Sequence, residues 1–424
     1  MNFKPFANPI MVVGDNPALP GGLARSGRDI ATLLCTLPQF RVGYLGRGLG
    51  NRRSFPFVLY DYPEPGGWGQ GYIQQAWEDF SGGEDGILLT TDDPSRRLWL
   101  VAPRGNGEGL ERFLGPGRNF ARWGYFPLDS AGPDGHHLGY ICRECVTQYD
   151  RVLISSEWGR TLIPLPDADW LPHGFHRENF HVIPDARCLL DWNQADVYVG
   201  MVAANQERKD FPVAFECFAR LKAHYGNRFH AWLHTDVPIR HWDIYALAAD
   251  YQIGDVLEVT MGFTDRQLAL YYSACDVTIL PTAGEGFGFP IVESLASGTA
   301  CVTTNYAAGP AYVEPTCRVD PIAYRVSTPY NSLRAVLHSE MFALAARDQI
   351  ERKKDDWEYR SRELAESVDC LAWENLKYPW TRWLLAGLKE QQHGQIPEAP
   401  QPAQCAHTRE EMRNMCVPER PIRD

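Results

Sequence analysis

Short apolar runs rich in β-branched residues alternate with longer amphipathic segments along most of this chain. The short runs are typical of buried strands, and their alternation with helical segments predicts parallel α/β sheets. We expect one series of strands at residues 9–13, 86–90, 121–128 and 149–155, with a helix at 24–37. A second series begins at residue 196 and continues at 231–235, 256–261, 276–280 and 301–304.

Two series of strands predict two domains, and the length agrees, because 424 residues exceed what one hydrophobic core usually organises. We place the first domain at residues 1–180 and the second at 181–375. Residues 376–392 are expected to form a helix that returns to the first domain. The stretch 393–424 is rich in Pro, Gln and Glu and is expected to be disordered.

Composition favours a soluble globular protein, since 44% of the residues are hydrophobic and 22% are charged. No apolar run approaches the roughly 20 residues that a membrane helix needs. The start of the chain lacks the apolar core of a signal peptide. The eleven cysteines are an odd number and are expected to be reduced core thiols. These features together predict a cytoplasmic protein.

The most informative stretch is 284–298, which reads Gly-Glu-Gly-Phe-Gly-Phe-Pro-Ile-Val-Glu-Ser-Leu-Ala-Ser-Gly. It predicts a glycine turn between the strand at 276–280 and a helix that opens at residue 289. Such a turn favours an anion, because backbone N–H groups and the helix dipole point at it. Glu285 would lie in the turn and Glu293 about two turns into the helix. The pattern predicts a sugar-nucleotide site; the alternative is two acids that compensate the helix dipole.

This stretch resembles the Glu-x7-Glu signature of retaining GT-B glycosyltransferases, in particular glycosyltransferase family 4. The strand and basic loop at 197–210, the sequence Trp-Leu-Pro-His-Gly at 170–174 and the glycine loop at 21–28 resemble the same family. The resemblance covers roughly residues 10–345. It implies a GT-B fold, with two facing Rossmann-like domains and a C-terminal helix that returns to the first domain.

The resemblance also implies the roles of individual residues around a nucleoside-diphosphate sugar. Glu293 would bind the ribose hydroxyls, and Glu285 would contact the hydroxyls of the transferred sugar. The base would lie near Thr260 and Met261, at the end of another strand. Gly22 would let the N-terminal loop approach the diphosphate. Backbone N–H groups for the sugar or diphosphate would come from Gly286, Phe287 and Gly288.

The departing nucleoside diphosphate develops negative charge, which fixed positive groups must stabilise. Arg208 and Lys209, shortly after the predicted strand at 197, are the candidates for that role. The alternative is a surface pair that caps a loop. The chain departs from the family at Met201, where an Arg is common. Retention would follow a front-face route, in which the departing phosphate takes the proton of the acceptor.

Asp129 follows a predicted strand of the first domain, where family members place a polar residue near the reacting sugar. An N-cap of a following helix is an equally good interpretation of this position, because Asp is favoured there. We therefore keep both the active-site role and the capping role for Asp129.

Two patterns raise the question of a metal. Asp167 and Asp169 have Asp-x-Asp spacing, but they precede a strand between prolines rather than follow one. A second group comprises His136, His137, Cys142 and Cys145. No second Cys pair follows it, as a closed zinc site would require, and buried helix cysteines are the better interpretation. We expect no metal and no cofactor, with a UDP-sugar as the preferred donor.

The acceptor is open at this point. A small molecule or glycan hydroxyl is the default, whereas two arginine-bearing stretches raise a modified nucleic-acid base as an alternative. The net charge of −12 argues against the nucleic acid. An epimerase or phosphorylase on the same scaffold, or a binding protein that does not turn over, are the other function classes. The arginines of the two stretches are Arg41, Arg47, Arg52, Arg53, Arg96, Arg97, Arg104, Arg112, Arg118 and Arg122.

Overall fold

The structure is a computed structural model that describes residues 7–50, 54–101, 120–328 and 330–393. These residues divide into two compact units. Unit 1 comprises the described residues of Met1–His173, Ser327–Ser332 and Lys377–Gln401, and unit 2 those of Gly174–Val326 and Leu333–Leu376. The chain thus passes from unit 1 to unit 2 after His173, close to the boundary expected at residue 180.

Unit 1 is built on a seven-stranded sheet in the order β3-β2-β1-β4-β5-β6-β7, in which every neighbouring pair is parallel. The order reverses beside β1, which pairs with β2 on one side and with β4 on the other. The strands are β1 (Asn8–Asp15), β2 (Phe40–Arg47), β3 (Val58–Tyr62), β4 (Ile87–Thr91), β5 (Ala121–Phe126), β6 (Arg151–Ile154) and β7 (Asp169–Trp170).

Helices of unit 1 pack against this sheet, and the first of them lies on β1 and β2. A side chain at Gly27 would meet the Tyr44 hydroxyl of β2, because a Cβ there would lie 2.0 Å from Oη. The absence of a side chain at Gly27 therefore lets the first helix approach the sheet closely. The described helices are α1 (Gly22–Cys35), α2 (Ile73–Ser81), α3 (Leu98–Val101), α4 (Tyr140–Val146) and α5 (Glu157–Thr161).

Unit 2 has a six-stranded sheet in the order β10-β9-β8-β11-β12-β13, again with parallel neighbours. Here the order reverses beside β8, which pairs with β9 and with β11. The strands are β8 (Val197–Val202), β9 (Phe229–His234), β10 (Leu257–Thr260), β11 (Val277–Leu280), β12 (Cys301–Thr304) and β13 (Arg318–Val319).

Helices of unit 2 cover a large apolar core that the sheet shares with them. They are α6 (Ala186–Leu189), α7 (Phe211–Tyr225), α8 (Ile244–Asp250), α9 (Asp265–Ala274), α10 (Phe289–Ala296), α11 (Ser339–Asp355) and α12 (Trp357–Ser367). A separate two-stranded sheet is formed by β14 (Ala323–Ser327) and β15 (Ser332–Val336).

The last described helix, α13 (Trp373–His393), contributes most of its length to unit 1. Trp380 is completely buried there: its ring packs edge-on against Tyr125 at 4.8 Å, and its indole N–H donates to the Pro172 carbonyl at 3.1 Å. Trp383 packs against Trp123 of β5 at 5.7 Å. The predicted returning helix is confirmed, and the tail expected to be disordered lies outside the described residues from 394 onwards.

The predicted fold class of two parallel α/β sheets is confirmed, but the sequence pattern missed β2 and β3. The strand β2 reads Phe-Arg-Val-Gly-Tyr-Leu-Gly-Arg, in which two glycines and two arginines interrupt the apolar run. Gly43 lies close to α2, because a Cβ at this position would be 3.0 Å from the Phe80 ring, tighter than an ordinary van der Waals contact. A glycine therefore stands where the pattern would require an apolar side chain, and the apolar run on which the prediction depended is interrupted.

No disulfide joins the cysteines in the described part of the chain, and five of them are buried: Cys145, Cys217, Cys275, Cys301 and Cys317. Within the same residues, no helix combines the length and the hydropathy that crossing a membrane requires.

Candidate active site

The strongest candidate site lies in unit 2, where the strand order reverses between β8 and β11. Ligands of open parallel sheets bind at such a reversal, beyond the carboxyl ends of the strands. Arg208 and Lys209 follow β8 in a 3-10 turn, Glu207–Lys209, and the glycine turn at 284–288 follows β11. Both segments that the sequence singled out therefore meet at one edge of one sheet.

The two cations converge on the same carboxylate. Lys209 donates from Nζ to Oε1 of Glu285, and both side chains are almost fully buried. Arg208 donates from Nη1 to the same oxygen at 3.0 Å and to the Gly284 carbonyl at 2.8 Å. The side chain of Arg208 keeps 25% of its surface exposed, so one cation of the pair still faces solvent. The alternative of a loop-capping surface pair is wrong for Lys209.

Glu285 is held in its ionised form. Burial by itself would raise the pKa of this carboxyl, but the charges of Lys209 and Arg208, with hydrogen bonds from Lys209 and Thr282, hold the pKa below its ordinary value. Within the trio of Lys209, Arg208 and Glu285, two positive charges face one negative charge. The cluster can therefore accept an anion and present an ionised carboxylate at the same time.

Backbone contacts fix the loop that carries Glu285. The Ala283 N–H donates to the Arg208 carbonyl at 2.7 Å, and the Ala308 N–H donates to the Glu285 carbonyl at 3.0 Å. The Thr282 hydroxyl bonds to the Gly284 carbonyl at 3.1 Å. These bonds tie the loops after β8, β11 and β12 together, so the cluster is organised by the fold rather than by the side chains alone.

Gly288 starts helix α10 from the left-handed region, with φ of 93°. A Cβ at this position would also lie 2.9 Å from Cδ1 of Ile291. The first turn of α10 contains no acidic residue, so the helix dipole is not compensated by a side chain within the helix. The dipole-compensation alternative is therefore wrong for Glu293, whereas Glu285 precedes the helix and pairs with Lys209 and Arg208.

Glu293 is the fifth residue of α10, just past the first turn, and not about two turns into the helix as predicted. The helix starts at Phe289, as predicted, and at 3.6 residues per turn Glu293 lies about one turn in. Glu293 is buried, and Tyr272 of α9 donates its hydroxyl to Oε2 at 3.1 Å. Sequence reasoning missed Tyr272, because no local signal links α9 to α10.

Thr260 and Met261, predicted to lie near the nucleoside base, stand at the end of the edge strand β10. The Thr260 hydroxyl accepts from the Trp232 indole at 2.8 Å and bonds to His234 Nδ1 at 3.0 Å. Burial lowers the pKa of His234 to about 4, so this ring is neutral near pH 7. Met261 is exposed. The Thr260 side chain has a packing role here, and the placement of the base stays a prediction.

Gly22 and Asp129 belong to unit 1, and each is described within that unit. Gly22 is the first residue of α1 and follows the loop after β1. Asp129 lies three residues after the end of β5 in an irregular segment, and the next helix begins only at Tyr140, with Gly139 at its N-cap. The helix-capping interpretation of Asp129 is wrong, whereas Ser156 does cap α5 through the Gly159 N–H.

The described arginines of the two basic stretches are paired with carboxylates. Arg41 contacts Glu84 at 2.7 Å and Arg122 contacts Asp150 at 3.2 Å. Arg97 is completely buried against Asp92 at 2.5 Å. This arrangement does not support a surface for a polyanion at these arginines. The members outside the described residues are Arg52, Arg53, Arg104, Arg112 and Arg118.

The metal alternatives find no support where the structure describes the chain. No three His, Cys, Asp or Glu side chains of the described ranges are grouped so that they could hold a metal ion. His137 instead pairs with Asp134 at 2.8 Å, and Cys145 donates its thiol to the Pro94 carbonyl at 2.8 Å. Met201, where the family often has an Arg, is completely buried within β8.

Comparison with known proteins agrees with this geometry. Residues 196–324 match a family described as Glycosyl transferases group 1, and this range contains Arg208, Lys209, Glu285 and Glu293. An MMP alpha-(1->4)-mannosyltransferase of Mycolicibacterium hassiacum is 36% identical over 93 residues, which is 22% of this chain and 22% of that protein. Uncharacterized glycosyltransferase 335 of Sulfolobus islandicus rod-shaped virus 1 is 27% identical over 140 residues, 30% of this chain and 40% of that protein. The chain thus spans less than half the length of these two curated relatives.

Solved structures extend the likeness to most of the chain. A sucrose-phosphate synthase from Thermosynechococcus elongatus has a TM-score of 0.65 at 16% identity and covers 91% of this chain and 99% of its own. The Anabaena protein HepE, in complex with UDP-glucose, has a TM-score of 0.65 at 13% identity over 89% of this chain and 100% of its own. At these identities the likeness concerns the fold. The chain has the GT-B fold, as the sequence predicted.

Proposed function

We propose that this protein is a glycosyltransferase that moves a sugar from a nucleoside-diphosphate donor to a hydroxyl acceptor, with retention and without a metal ion. The observation that carries this proposal is the convergence of Lys209 and Arg208 on Glu285 at the strand reversal of unit 2. The match of residues 196–324 to the group 1 glycosyltransferases supports it.

The positive charges serve the leaving group. A departing nucleoside diphosphate gains negative charge in the transition state, and fixed cations lower the free energy of that state. Arg208 is partly exposed and can bind a phosphate through two N–H groups, whereas buried Lys209 supplies a fixed charge behind it. The N-terminus of α10 adds its dipole at the same edge.

The two carboxylates serve the hydroxyl groups of the donor. The lowered pKa of Glu285 keeps the carboxylate ionised over the neutral range, so it can accept hydrogen bonds from the transferred sugar. Glu293 would accept the two ribose hydroxyls, with Tyr272 holding one carboxylate oxygen in place. The resemblance to the Glu-x7-Glu signature supports these two roles.

Retention is proposed through a front-face route. The bond between the anomeric carbon and the diphosphate oxygen breaks, the acceptor oxygen bonds to the same face of that carbon, and its proton passes to the departing phosphate. No enzyme nucleophile takes part in this route, so positioning and charge stabilisation supply the catalysis. A UDP-sugar is our preferred donor, and the UDP-glucose complex of the similarly folded HepE supports that choice.

The test begins with donor binding. Melting temperatures are measured with UDP-, GDP- and ADP-glucose and with UDP-galactose and GDP-mannose, each with and without EDTA. A ligand that binds only the folded state raises the melting temperature by mass action. We expect a shift with one donor that EDTA does not change, that Lys209→Ala abolishes and that Glu293→Gln reduces.

Two variants elsewhere in unit 2 serve as controls. One removes a positive charge, and the other changes a carboxylate that accepts from a tyrosine hydroxyl. Lys222 pairs with Asp255 at 2.6 Å on the surface, and Glu258 accepts from Tyr271 at 2.9 Å much as Glu293 accepts from Tyr272. Lys222→Ala and Glu258→Gln should bind the donor like the unmodified protein. Slow release of free sugar from the donor separates an enzyme from a non-catalytic binder. A well-folded protein that shifts with no donor of the panel would contradict the proposal.

A further inference from the structure

A network of hydrogen bonds ties the cation-bearing turn of unit 2 to the loop after β9, and the function proposed above does not use it. Asn205 lies three residues after the end of β8 and two residues before the turn Glu207–Lys209. The loop 236–242 follows β9, which is the parallel neighbour of β8. Both segments therefore lie at the carboxyl ends of adjacent strands, at the edge of the sheet that carries the candidate site.

The side chain of Asn205 is completely buried and joins these two segments. Its Nδ2 donates to the carbonyl oxygens of Val237 at 2.9 Å and of Trp242 at 2.8 Å, and its Oδ1 accepts from the Trp242 N–H at 3.0 Å. The backbone N–H of Asn205 donates to Oδ1 of Asp236 at 2.7 Å. Four hydrogen bonds thus connect one residue to the loop 236–242.

The chemistry of an amide matches these partners. Two carbonyl oxygens require two donors and the Trp242 N–H requires an acceptor, and the Asn205 side chain supplies all three. A carboxylate in its place would offer no donor to the carbonyl oxygens. Buried polar groups that lose a partner cost free energy, so this contact holds the two segments in one arrangement.

The loop 236–242 is itself fixed to the fold, so the turn is tied to a firm support. The Ile244 N–H donates to the Pro238 carbonyl at 3.0 Å, which closes the loop at its far end. Asp243 caps helix α8, which starts directly after it. Asn205 therefore links the turn to the start of a helix and not to a free loop.

The turn that carries the two cations is held from two sides. On one side, the Ala283 N–H donates to the Arg208 carbonyl at 2.7 Å. On the other side, the chain turns directly after Asn205, and the Lys209 N–H donates to the Gln206 carbonyl at 3.1 Å. Charges that stabilise a transition state are most effective when the fold fixes them beforehand, and small displacements weaken their effect.

We propose that Asn205 is a positioning residue for donor binding: it anchors the turn Glu207–Lys209 to the loop 236–242 and thereby places Arg208 and Lys209 for the diphosphate. The assignment of the two cations to a diphosphate rests on the proposed glycosyl transfer, whereas the link between the two segments does not. Asn205 acts through the cations and does not itself contact the donor.

The first experiment measures the binding of UDP and GDP by calorimetry, at pH 8 and at pH 5.5, to the unmodified protein and to Asn205→Asp. The new carboxylate cannot donate to the carbonyl oxygens of Val237 and Trp242. Burial beside them should raise the pKa of that carboxyl, and its protonated form regains one donor. For the nucleotide that the unmodified protein binds, we expect the Kd of the variant to be at least tenfold higher at pH 8 and less than threefold higher at pH 5.5. An equal ratio of the two Kd values at both pH values would overturn the proposal.

Ser273→Ala is the matched control for loss of a buried contact that joins two segments. The Ser273 hydroxyl accepts from the Ile183 N–H at 3.1 Å and donates to the Ser297 carbonyl at 3.0 Å. Ser273 shortly precedes β11 and thus lies near the amino end of that strand. The variant should lower the melting temperature and leave the Kd of the nucleotide within twofold. If it weakens nucleotide binding as much as Asn205→Asp does, a general loss of stability explains both effects and the proposal fails.

Two variants of the partly exposed Asp236 test the same link if Asn205→Asp does not fold. Asp236→Asn removes the charge and keeps an oxygen for the Asn205 N–H, whereas Asp236→Ala removes both. We expect the Kd of the nucleotide to be at least threefold higher in Asp236→Ala than in Asp236→Asn. Equal values, with nucleotide binding by the unmodified protein intact, would overturn this inference and leave the proposed function standing. A folded unmodified protein that binds no nucleoside diphosphate would instead contradict the proposed function, and this inference with it.

Discussion

Lys209 donates a hydrogen bond to Glu285 across 76 residues of sequence, and both side chains are almost fully buried. A buried ion pair holds each partner in its charged form, and removing one partner leaves an uncompensated charge. This contact joins the loops after β8 and β11. The lysine that we assign to donor binding therefore also stabilises unit 2.

Lys209→Met should lower both stability and activity. Glu285 would keep only Arg208, so its pKa should rise, and the free energy of unfolding should fall by about 2 kcal/mol or more. The double variant Lys209→Met, Glu285→Gln should lose less stability than the sum of the single variants, with a coupling of about 1 to 3 kcal/mol. Urea unfolding of the four proteins measures this coupling. Additive losses would show that the two side chains do not interact.

Glu293→Gln should weaken donor binding and leave the fold intact. The amide keeps an oxygen for the Tyr272 hydroxyl but loses the charge that favours a ribose diol. We expect the KM for the donor to rise by a factor of about 10 to 100, which corresponds to about 1.4 to 2.7 kcal/mol. Steady-state kinetics across donor concentrations checks this, with Glu258→Gln as the control. A change in kcat alone would assign Glu293 to another role.

Gly288→Ala should destabilise the protein more than the same change at Gly82. Both glycines are in the left-handed region, with φ of 93° and 66°, but only at Gly288 would a Cβ meet a neighbouring atom, Ile291 Cδ1 at 2.9 Å. The conformational cost is about 1 kcal/mol at either position, and the clash should add at least as much again at Gly288. Chemical denaturation of the two variants isolates the clash. Equal losses would mean that Ile291 moves aside without cost.

Asp15→Asn should stabilise the protein at neutral pH. Burial, and then the charge of Asp92, raise the pKa of Asp15 to about 6 against the opposing charges of Arg96, Arg97 and Arg47. The folded state therefore holds this proton more tightly than the unfolded state does. The stabilisation that comes from binding this proton is complete below about pH 4 and is lost as the pH rises through about 6.

Asp15→Asn leaves no ionisable group at this position. Its gain in the free energy of unfolding over the unmodified protein should therefore be absent near pH 4 and reach about 2 kcal/mol at pH 8. Urea unfolding at both values measures the difference. The control is Asp150→Asn, which removes a surface carboxylate that pairs with Arg122. An advantage for Asp15→Asn that is equal at both pH values would contradict the raised pKa.

Trp380→Ala should destabilise unit 1 by about 3 to 5 kcal/mol, because the ring is completely buried and its N–H bonds to the Pro172 carbonyl. Tyr378 lies on the same helix but is 65% exposed, and Tyr378→Ala should cost less than about 0.5 kcal/mol. Thermal unfolding of both variants tests whether α13 is an integral part of unit 1. A small loss for Trp380→Ala would mean that it is not.

Sequence reasoning found the residues of unit 2 because their signal is local. A strand, a glycine turn and a helix start follow one another within residues 276–296. The left-handed backbone at Gly288 is also signalled in the sequence, because glycine adopts that conformation readily. Lys209 and Arg208 were found through a second local pattern. Neither pattern could show that two cationic side chains share one oxygen of Glu285, because that contact depends on how β8 and β11 lie side by side.

The residues that the sequence missed have no local signal. Tyr272 reaches Glu293 from another helix, and Arg96 was grouped with surface arginines although the fold places it over Trp68 beside Asp15. Strand β2 was missed because Gly43 takes the place of an apolar residue where Phe80 packs. In each case the information lies in which elements become neighbours.

The sequence by itself therefore determined the two parallel α/β sheets and the glycine turn with its carboxylates, since periodicity and turn chemistry act between residues close in the chain. The GT-B fold was implied by the resemblance to known glycosyltransferases. Only the tertiary structure decided the ionisation of Glu285, the pairing of the arginines and the place of Arg96 beside Asp15. These depend on burial and on distances between charges from different strands, and both are set when the sheets assemble.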